Sequence, residues 1–327
     1  MQTPVRLRRR DALAVLAGLP LAARAQQAAK AWPSRPLTII VPSAAGGAAD
    51  FVGRSFAQYL GTVLPGESAI VENQAGAGGI IGTLATKAAP ADGHTFMVST
   101  NSTHAANVSL YRNLRYDPLT DFAQVGLFGT YASVLVAHRD APYRSLAQFI
   151  DFARAHPGRL NYGYYSSSSQ VPAELLRTRA NLRFSGAAYK AITQMLTDLM
   201  GGQLDFVFVD TLSAAPALQN DRLVALAVTS GRALPSLAQV PPVASALPGY
   251  EVQGWFGLSA RAGTPPEVVA RMARLVRGAL EDAAFRRALE ARGLTTRSLT
   301  GPAFERFVAE DVDRWAEWIR LAGIERQ

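Results

Sequence analysis

LTIIVPSAAGGAAD, residues 37–50, decides how the rest of the chain reads. Its first five residues are apolar or β-branched, which makes a strand. Pro42 has no amide hydrogen and ends the ladder. Small residues follow, with a glycine pair at Gly46 and Gly47, and from Phe51 the period turns helical, with Phe51, Val52, Phe56, Tyr59 and Leu60 on one face. A strand therefore empties into a tight loop that opens a helix. Such a loop aims backbone N–H groups and the positive end of a helix dipole at one spot, where a small anion fits. A tight turn that merely reverses the chain and binds nothing would look the same.

The chain has 327 residues, 49% of them hydrophobic and 18% charged, which makes it globular and long enough for about two domains. Residues 1–25 stand apart. Arg6, Arg8, Arg9 and Arg10 precede an apolar run over residues 12–22, and Ala23-Arg24-Ala25 fits a small-x-small cleavage site. This predicts an export signal, with paired arginines of the twin-arginine kind. The apolar run is well short of the ~20 residues a membrane span needs. The leader's five arginines and one aspartate account for half of the net charge of +8, and what remains is too mild to point to nucleic acid. With no cysteine, disulfides, thiolate metal sites and a cysteine nucleophile are excluded.

The opening pattern recurs. Residues 69–71 form a second strand ahead of Ala75-Gly76-Ala77-Gly78-Gly79, and a helical pattern starts at Ile80. The third glycine, Gly82, comes one place too late for a dinucleotide fingerprint, and no lysine follows at P-loop spacing. A third strand over 95–98 ends in a run of hydroxyl and amide side chains, 99–103, with His104 behind it. Strands are expected at 124–128 and 133–137, then a helix opened by the capping box Ser145-x-x-Gln148. The strand at 160–162 runs into the tyrosine- and serine-rich stretch 163–169, with a helix over 173–182. A helix from Ile192 ends at Gly201-Gly202, strands follow at 204–209 and 224–228, and residues 251–259 are extended. Thr264-Pro265-Pro266-Glu267 predicts a capped helix, and Thr300 is expected to start the last one.

Strands alternating with helices predict an α/β fold with mostly parallel sheets. Ligands of such sheets bind beyond the carboxyl ends of the strands. The polar and glycine-rich loops at those ends form two groups, 42–50, 74–80 and 99–104, then 163–169, 187–190 and 210–213. Two groups imply two domains facing each other across a cleft. Catalytic signatures are missing: there is no G-x-S-x-G, no H-E-x-x-H, and the four histidines are scattered. Ser166, His104 and Asp210 could assemble in space, as could many triples in a chain of this length, and Asp50, Asp205 and Asp210 have no spacing that implies acid–base work. The cleft is equipped to bind rather than to react; no catalytic residue, metal or cofactor is expected.

These motifs together resemble the Bug-type extracytoplasmic solute receptors, the substrate-binding component of tripartite tricarboxylate transporters. The resemblance rests on IIVPSAAGGAAD (39–50), VENQAGAGGIIG (71–82), STHAANVSLY (102–111), HPGRLNYG (156–163), Tyr189-Lys190, GGQLDFVFVD (201–210), LVALAVTSGRALP (223–235) and GWFGLSARAGTP (254–265), in that order. It implies a periplasmic-binding-protein (Venus flytrap) fold of two lobes, each a mostly parallel sheet flanked by helices. Lobe one would be residues 32–131 plus 254–327 and lobe two 132–253, with crossover strands at 133–137 and 253–258. It further implies a periplasmic, monomeric, non-enzymatic receptor for a small carboxylated metabolite, working with the membrane permease subunits of such a transporter. The ligand-binding residues carried over are Ser43, Ala44, Gly46, Gly47, Gly78, Gly79, Thr100, Ser102 and His104 from lobe one, and Ser166, Ser168, Tyr189 and Asp210 from lobe two.

The chain departs from the family pattern in the cleft itself. Ser43-Ala44-Ala45 replaces a usual Phe-Ala-Pro, Ala191 replaces a usual glycine, and Tyr164 and Tyr165 could partner an aromatic carboxylate. Two other readings remain open: a ligand-sensing receptor whose partner is a signalling protein, and an exported hydrolase.

Overall fold

The computed structural model describes residues 32–64, 66 and 68–327. The expected export signal, residues 1–25, lies outside them. Residues 35–327 form one compact unit, and its elements follow the chain in strict strand–helix alternation at first: β1 (Leu37–Val41), α1 (Ala48–Val63), β2 (Ala69–Asn73), α2 (Ile80–Ala88), β3 (Thr95–Thr100) and the short α3 (Asn107–Leu110). Then come β4 (Phe122–His138), α4 (Leu146–Ala155), β5 (Asn161–Tyr164), α5 (Ser167–Arg179), β6 (Ser185–Ala188), α6 (Ile192–Met200), β7 (Phe206–Asp210), α7 (Thr211–Ala217) and β8 (Leu223–Val228). The chain closes with β9 (Gln253–Arg261), α8 (Pro266–Glu281), α9 (Ala283–Glu290), β10 (Thr295–Thr300) and α10 (Pro302–Leu321).

The strands run β2-β1-β3-β9-β4-β7-β5-β6, with β8 and β10 also on β4. Two parallel sets, β2-β1-β3 and β7-β5-β6, flank an antiparallel centre in which β9 pairs with β3 and β4, and β4 pairs with β7, β8 and β10. The sheet is thus mixed, because the strands that cross between halves enter antiparallel to both. β4 is 17 residues long. Its residues from Phe122 to Ala132 pair with β9, and from Ser133 to Ala137 with β7. The two short strands expected at 124–128 and 133–137 are therefore one. Near Gly126 and Gly129 the register against β9 shifts, but the strand is unbroken. A Cβ at Gly129 would stand 2.4 Å from the Thr295 carbonyl oxygen, so glycine lets β10 approach there.

Other boundaries move for local reasons. α5 begins at Ser167, not 173, because Ser169 Oγ accepts from the amides of Tyr165 and Ser166 and closes the first turn. Pro265, not Thr264, precedes α8, and Thr264 Oγ1 donates to the Arg261 carbonyl instead. α10 starts at Pro302, after Gly301. β6, β10 and α7 carry too little apolar periodicity to announce themselves, and α9 is only eight residues long; SGAA in β6 is exposed throughout.

The last helix belongs to more than one core. Phe304 and Val308 pack with Leu127 and Trp255. Trp315, Ile319 and Ala322 join a cluster with Phe149, Leu176 and Phe206 from the other half and with Ala105, Ala106 and Leu110. Between these stretches sits Asp311, almost wholly buried, accepting from Trp255 Nε1 at 2.7 Å and from Arg314 at 2.5 Å. Burial pushes its carboxyl up to about 6, and hydrogen bonds and the Arg314 charge only partly oppose that. Among the described residues no helix is long and apolar enough to cross a membrane.

A carboxyl raised in the folded state binds its proton more tightly there than in the unfolded chain. Its stabilising contribution is complete below the ordinary value of 3.8 and is lost as pH rises through about 6. Asp311→Asn keeps an acceptor for Trp255 Nε1 and removes this titration. Urea denaturation of both proteins from about pH 4 to pH 7 should show stability falling more steeply in the parent, by up to about 3 kcal/mol over that range.

Candidate functional site

The loop after β1 is shaped by a buried carboxylate. Asp50, in the first turn of α1, accepts from the Gly46 amide at 2.9 Å, from Asn73 Nδ2 at 2.9 Å and from Arg54 at 2.9 Å. Asn73, at the end of β2, also donates to the Ser43 carbonyl at 3.2 Å, and its own Oδ1 accepts from Arg54. Burial acts to raise the Asp50 carboxyl, but the bonds from Arg54, Gly46 and Asn73 outweigh it and hold it below its ordinary value. A strand end, a loop and a helix start are thus tied by one charge. The tie leaves the first amides of α1 without a side-chain cap, at a point where Gly47, Ala48 and Ala49 line a cavity.

The second glycine loop fits against this one. Gly76, Ala77, Gly78 and Gly79 all have positive φ. At Gly79 a Cβ would lie 2.7 Å from Thr103 Cγ2 and 3.3 Å from the Pro42 carbonyl oxygen, so only glycine lets the three segments meet. Beyond β3, residues Ser102–Ala106 form a π-helical turn. Thr100 and Thr103 bond each other's amides through their hydroxyls, and Tyr116 Oη donates to the Thr103 carbonyl.

The opposite wall comes from β5, α5 and the segment before α6. Serine hydroxyls join the two walls: Ser102 Oγ lies 2.7 Å from Ser167 Oγ, and Asn101 Nδ2 donates to Ser168 Oγ at 3.1 Å. Tyr131, on β4, donates to Asn101 Oδ1 at 2.8 Å and stacks on Phe256 with centroids 4.8 Å apart. Between the walls lies a cavity of about 520 Å³. That is ample for a small metabolite and its water.

Ten of the thirteen residues expected at the site line this cavity: Ser43, Ala44, Gly47, Gly78, Gly79, Thr100, Ser102, Ser166, Ser168 and Tyr189. Gly46, His104 and Asp210 do not. Gly46 serves the loop through its bond to Asp50. His104 is wholly buried between the rings of Phe122 and Trp255, its Nδ1 paired with Thr103 Oγ1 at 2.9 Å. Burial lowers its pKa to about 3, so it is neutral. Asp210 lies behind Tyr165, accepting from Tyr165 Oη at 2.9 Å and from the Ser213 amide at 2.8 Å as the cap of α7, and burial raises its pKa. His104 reaches neither Ser166 nor Asp210, so the triple weighed from sequence does not assemble. Lys190 is the one ionised side chain among the described residues on the wall. The sequence reading passed over Tyr111, Tyr131, Gln170, Phe256 and Gln327, which also line it. Tyr131 falls between the two strands expected there, and Phe256 lies in the extended stretch 251–259.

A wall of amides, hydroxyls and rings, with one cationic side chain, offers donors to an anion. Comparison with known proteins accords with this. Residues 52–324 match the tripartite tricarboxylate transporter family receptors. The chain belongs to this family. It is 31% identical to protein BugT of Bordetella pertussis over 299 residues, 90% of this chain and 91% of BugT. Its fold superposes on Rpa4515 of R. palustris, solved with adipate, with a TM-score of 0.87 and 31% identity over 90% of this chain and all of that one. MatC of Rhodopseudomonas palustris, solved with bound malate, gives a TM-score of 0.80 and 29% identity over 88% of this chain and all of that one. Family members are solute-binding receptors and not enzymes, and the two-lobed α/β fold expected from the sequence is the fold found.

The Asp50 tie makes a direct prediction. Asp50→Ala leaves Gly46 N, Asn73 and Arg54 without their shared acceptor and should lower stability by about 2–3 kcal/mol near neutral pH. A depressed carboxyl stabilises above its unfolded pKa and ceases to as pH falls through the folded one. The gap between parent and variant, read by urea denaturation, should therefore close below about pH 4.

Proposed function

We propose that this receptor is an exported protein that captures a small carboxylated metabolite between its lobes and delivers it to the permease subunits of a tripartite tricarboxylate transporter. The observation that carries this is the convergence of two helix starts on one cavity. Gly47, Ala48 and Ala49 head α1 from one side, and Ser166, Ser167 and Ser168 head α5 from the other. Each start presents amides and the positive end of a dipole, the arrangement that holds an anion without a counter-charge. The adipate and malate in Rpa4515 and MatC support a carboxylate as that anion. Binding through neutral donors selects the ligand yet leaves it free to depart when the lobes part.

The assignment of residues 32–131 plus 254–327 to lobe one and 132–253 to lobe two accords with the change of partner along β4 at Ser133. α10 then bridges the two, since its last turns pack into the core of lobe two. The ligand sits among Ser43, Ala44, Gly47, Gly78, Gly79, Thr100 and Ser102 of one lobe and Ser166, Ser168 and Tyr189 of the other. The receptor acts as a monomer in the periplasm, with residues 1–25 as its export signal.

Two measurements test this. In thermal-shift and calorimetric titrations against adipate, malate and benzoate, at least one acid should stabilise the protein while the matching amide does not. Gly47→Asp should weaken that binding more than tenfold, by placing a like charge on the wall. Gly47 precedes the first turn of α1, where aspartate is a favourable cap, so the melting temperature without ligand should not fall. Unchanged affinity in Gly47→Asp would remove this loop from the anion site. Uptake of the same acid by cells should require both this receptor and the permease.

A further inference from the structure

Six aromatic rings line the cavity: Tyr111, Tyr131, Tyr164, Tyr165, Tyr189 and Phe256. The five phenols divide into two kinds. Three have hydroxyls tied to the protein: Tyr131 to Asn101 Oδ1 at 2.8 Å, Tyr165 to Asp210 Oδ2 at 2.9 Å and Tyr189 to Asp198 Oδ2 at 2.8 Å. Those bonds turn the polar end of each ring into the protein and leave the ring as a flat apolar surface. The other two, Tyr111 beside α3 and Tyr164 at the end of β5, have hydroxyls with no hydrogen-bond partner among the described residues. Burial first and then the nearby Tyr164 raise the pKa of Tyr111. Both line the cavity, Tyr111 from the end of α3 and Tyr164 from the end of β5.

The rest of the wall adds little charge. Lys190 is the one charged side chain among the described residues that line it, and no aspartate or glutamate does. An aliphatic diacid would leave these rings with nothing flat to stack on. A planar ring matches them, because offset and edge-on contacts between rings add to the burial of apolar surface. A cavity of about 520 Å³ holds such a ring with a carboxylate and a substituent. Two unpartnered phenols on the wall suit a neutral polar group, for an unpartnered hydroxyl there gains when a substituent supplies the missing bond.

We propose that the preferred ligand is an aromatic carboxylate bearing a neutral hydrogen-bonding substituent such as a hydroxyl, with the rings of Tyr131, Tyr165 and Phe256 holding its body and the hydroxyls of Tyr111 and Tyr164 selecting the substituent. This rests on the carboxylate-receptor reading above and names the class of acid.

The test is calorimetric titration of the full-length mature protein with para-hydroxybenzoate, benzoate, cyclohexanecarboxylate, adipate and malate. Para-hydroxybenzoate should bind most tightly and cyclohexanecarboxylate more weakly than benzoate. Tyr164→Phe and Tyr111→Phe retain the ring and remove only the hydroxyl. Each should weaken para-hydroxybenzoate about three- to tenfold while leaving benzoate unchanged. If adipate or malate binds as tightly as the aromatic acids or more tightly, the aromatic class is wrong and the receptor reading stands. If the phenylalanine variants weaken benzoate and para-hydroxybenzoate equally, or neither, the two phenols do not select the substituent. If no acid in the panel binds, the receptor reading fails with it.

Discussion

A strand has two hydrogen-bonding edges, and β4 uses both in each half of the molecule. In the first half β9 and β10 lie on either side of it, and in the second β7 and β8 do. The two halves therefore cannot part without breaking a central strand that is paired throughout. Its neighbours change at one point, between Ala132 and Ser133. That point is fixed by Thr229, whose hydroxyl accepts from the Ser133 amide and donates to the Val252 carbonyl, just before β9 returns to the first half. The amide of Thr229 donates to the Ser133 carbonyl and its own carbonyl accepts from Val252. A buried threonine thus clasps both crossings, and the cavity lies on the side to which the carboxyl ends of the parallel strands point.

Electrostatics keeps the cavity free of anionic competition. Three buried carboxylates lie in or near the ligand-bearing layers, and each is turned away from the cavity. Asp50 is surrounded by donors and stays ionised. Asp210 and Asp311 are less fully compensated, and burial raises both. Asp210 bonds the outer end of Tyr165 and Asp311 the indole of Trp255, so the acids orient rings rather than touch solute. The side chains that face the cavity are neutral or positive.

Much of this was legible in the chain. Strand–glycine–helix repeats located the loops on both walls, since glycine pairs and serine runs at strand ends reflect backbone geometry that few other residues allow. What stayed hidden involved contacts distant in sequence. Asn73 read as the end of a strand, and nothing nearby announced that it would meet Asp50. His104 sat in a polar run and read as part of the rim, yet the π-helical turn carries it inward between Phe122 and Trp255. Tyr131 fell between two expected strands and Phe256 within an extended stretch, and nothing local marked either for the wall. The aspartate ending the run at 206–210 read as a cleft residue, although local capping and the Tyr165 hydroxyl claim both its oxygens.

The position of α10 makes the two sides of the cleft mechanically unequal. On its side Trp315 and Ile319 share a core with Leu110 and Leu176, and Thr178 Oγ1 bonds the Leu321 carbonyl. Spreading the lobes there would expose apolar surface to water. Across the middle, the bonds between Ser102 and Ser167 and between Asn101 and Ser168 join groups that water satisfies equally well once they separate. On the far rim the Gly46-Gly47 turn approaches the start of α6 at Ile192 and Thr193. The molecule is therefore stiff along one flank and compliant along the other. Along the α10 flank the two halves share one apolar core, and at the Gly47 rim they only touch.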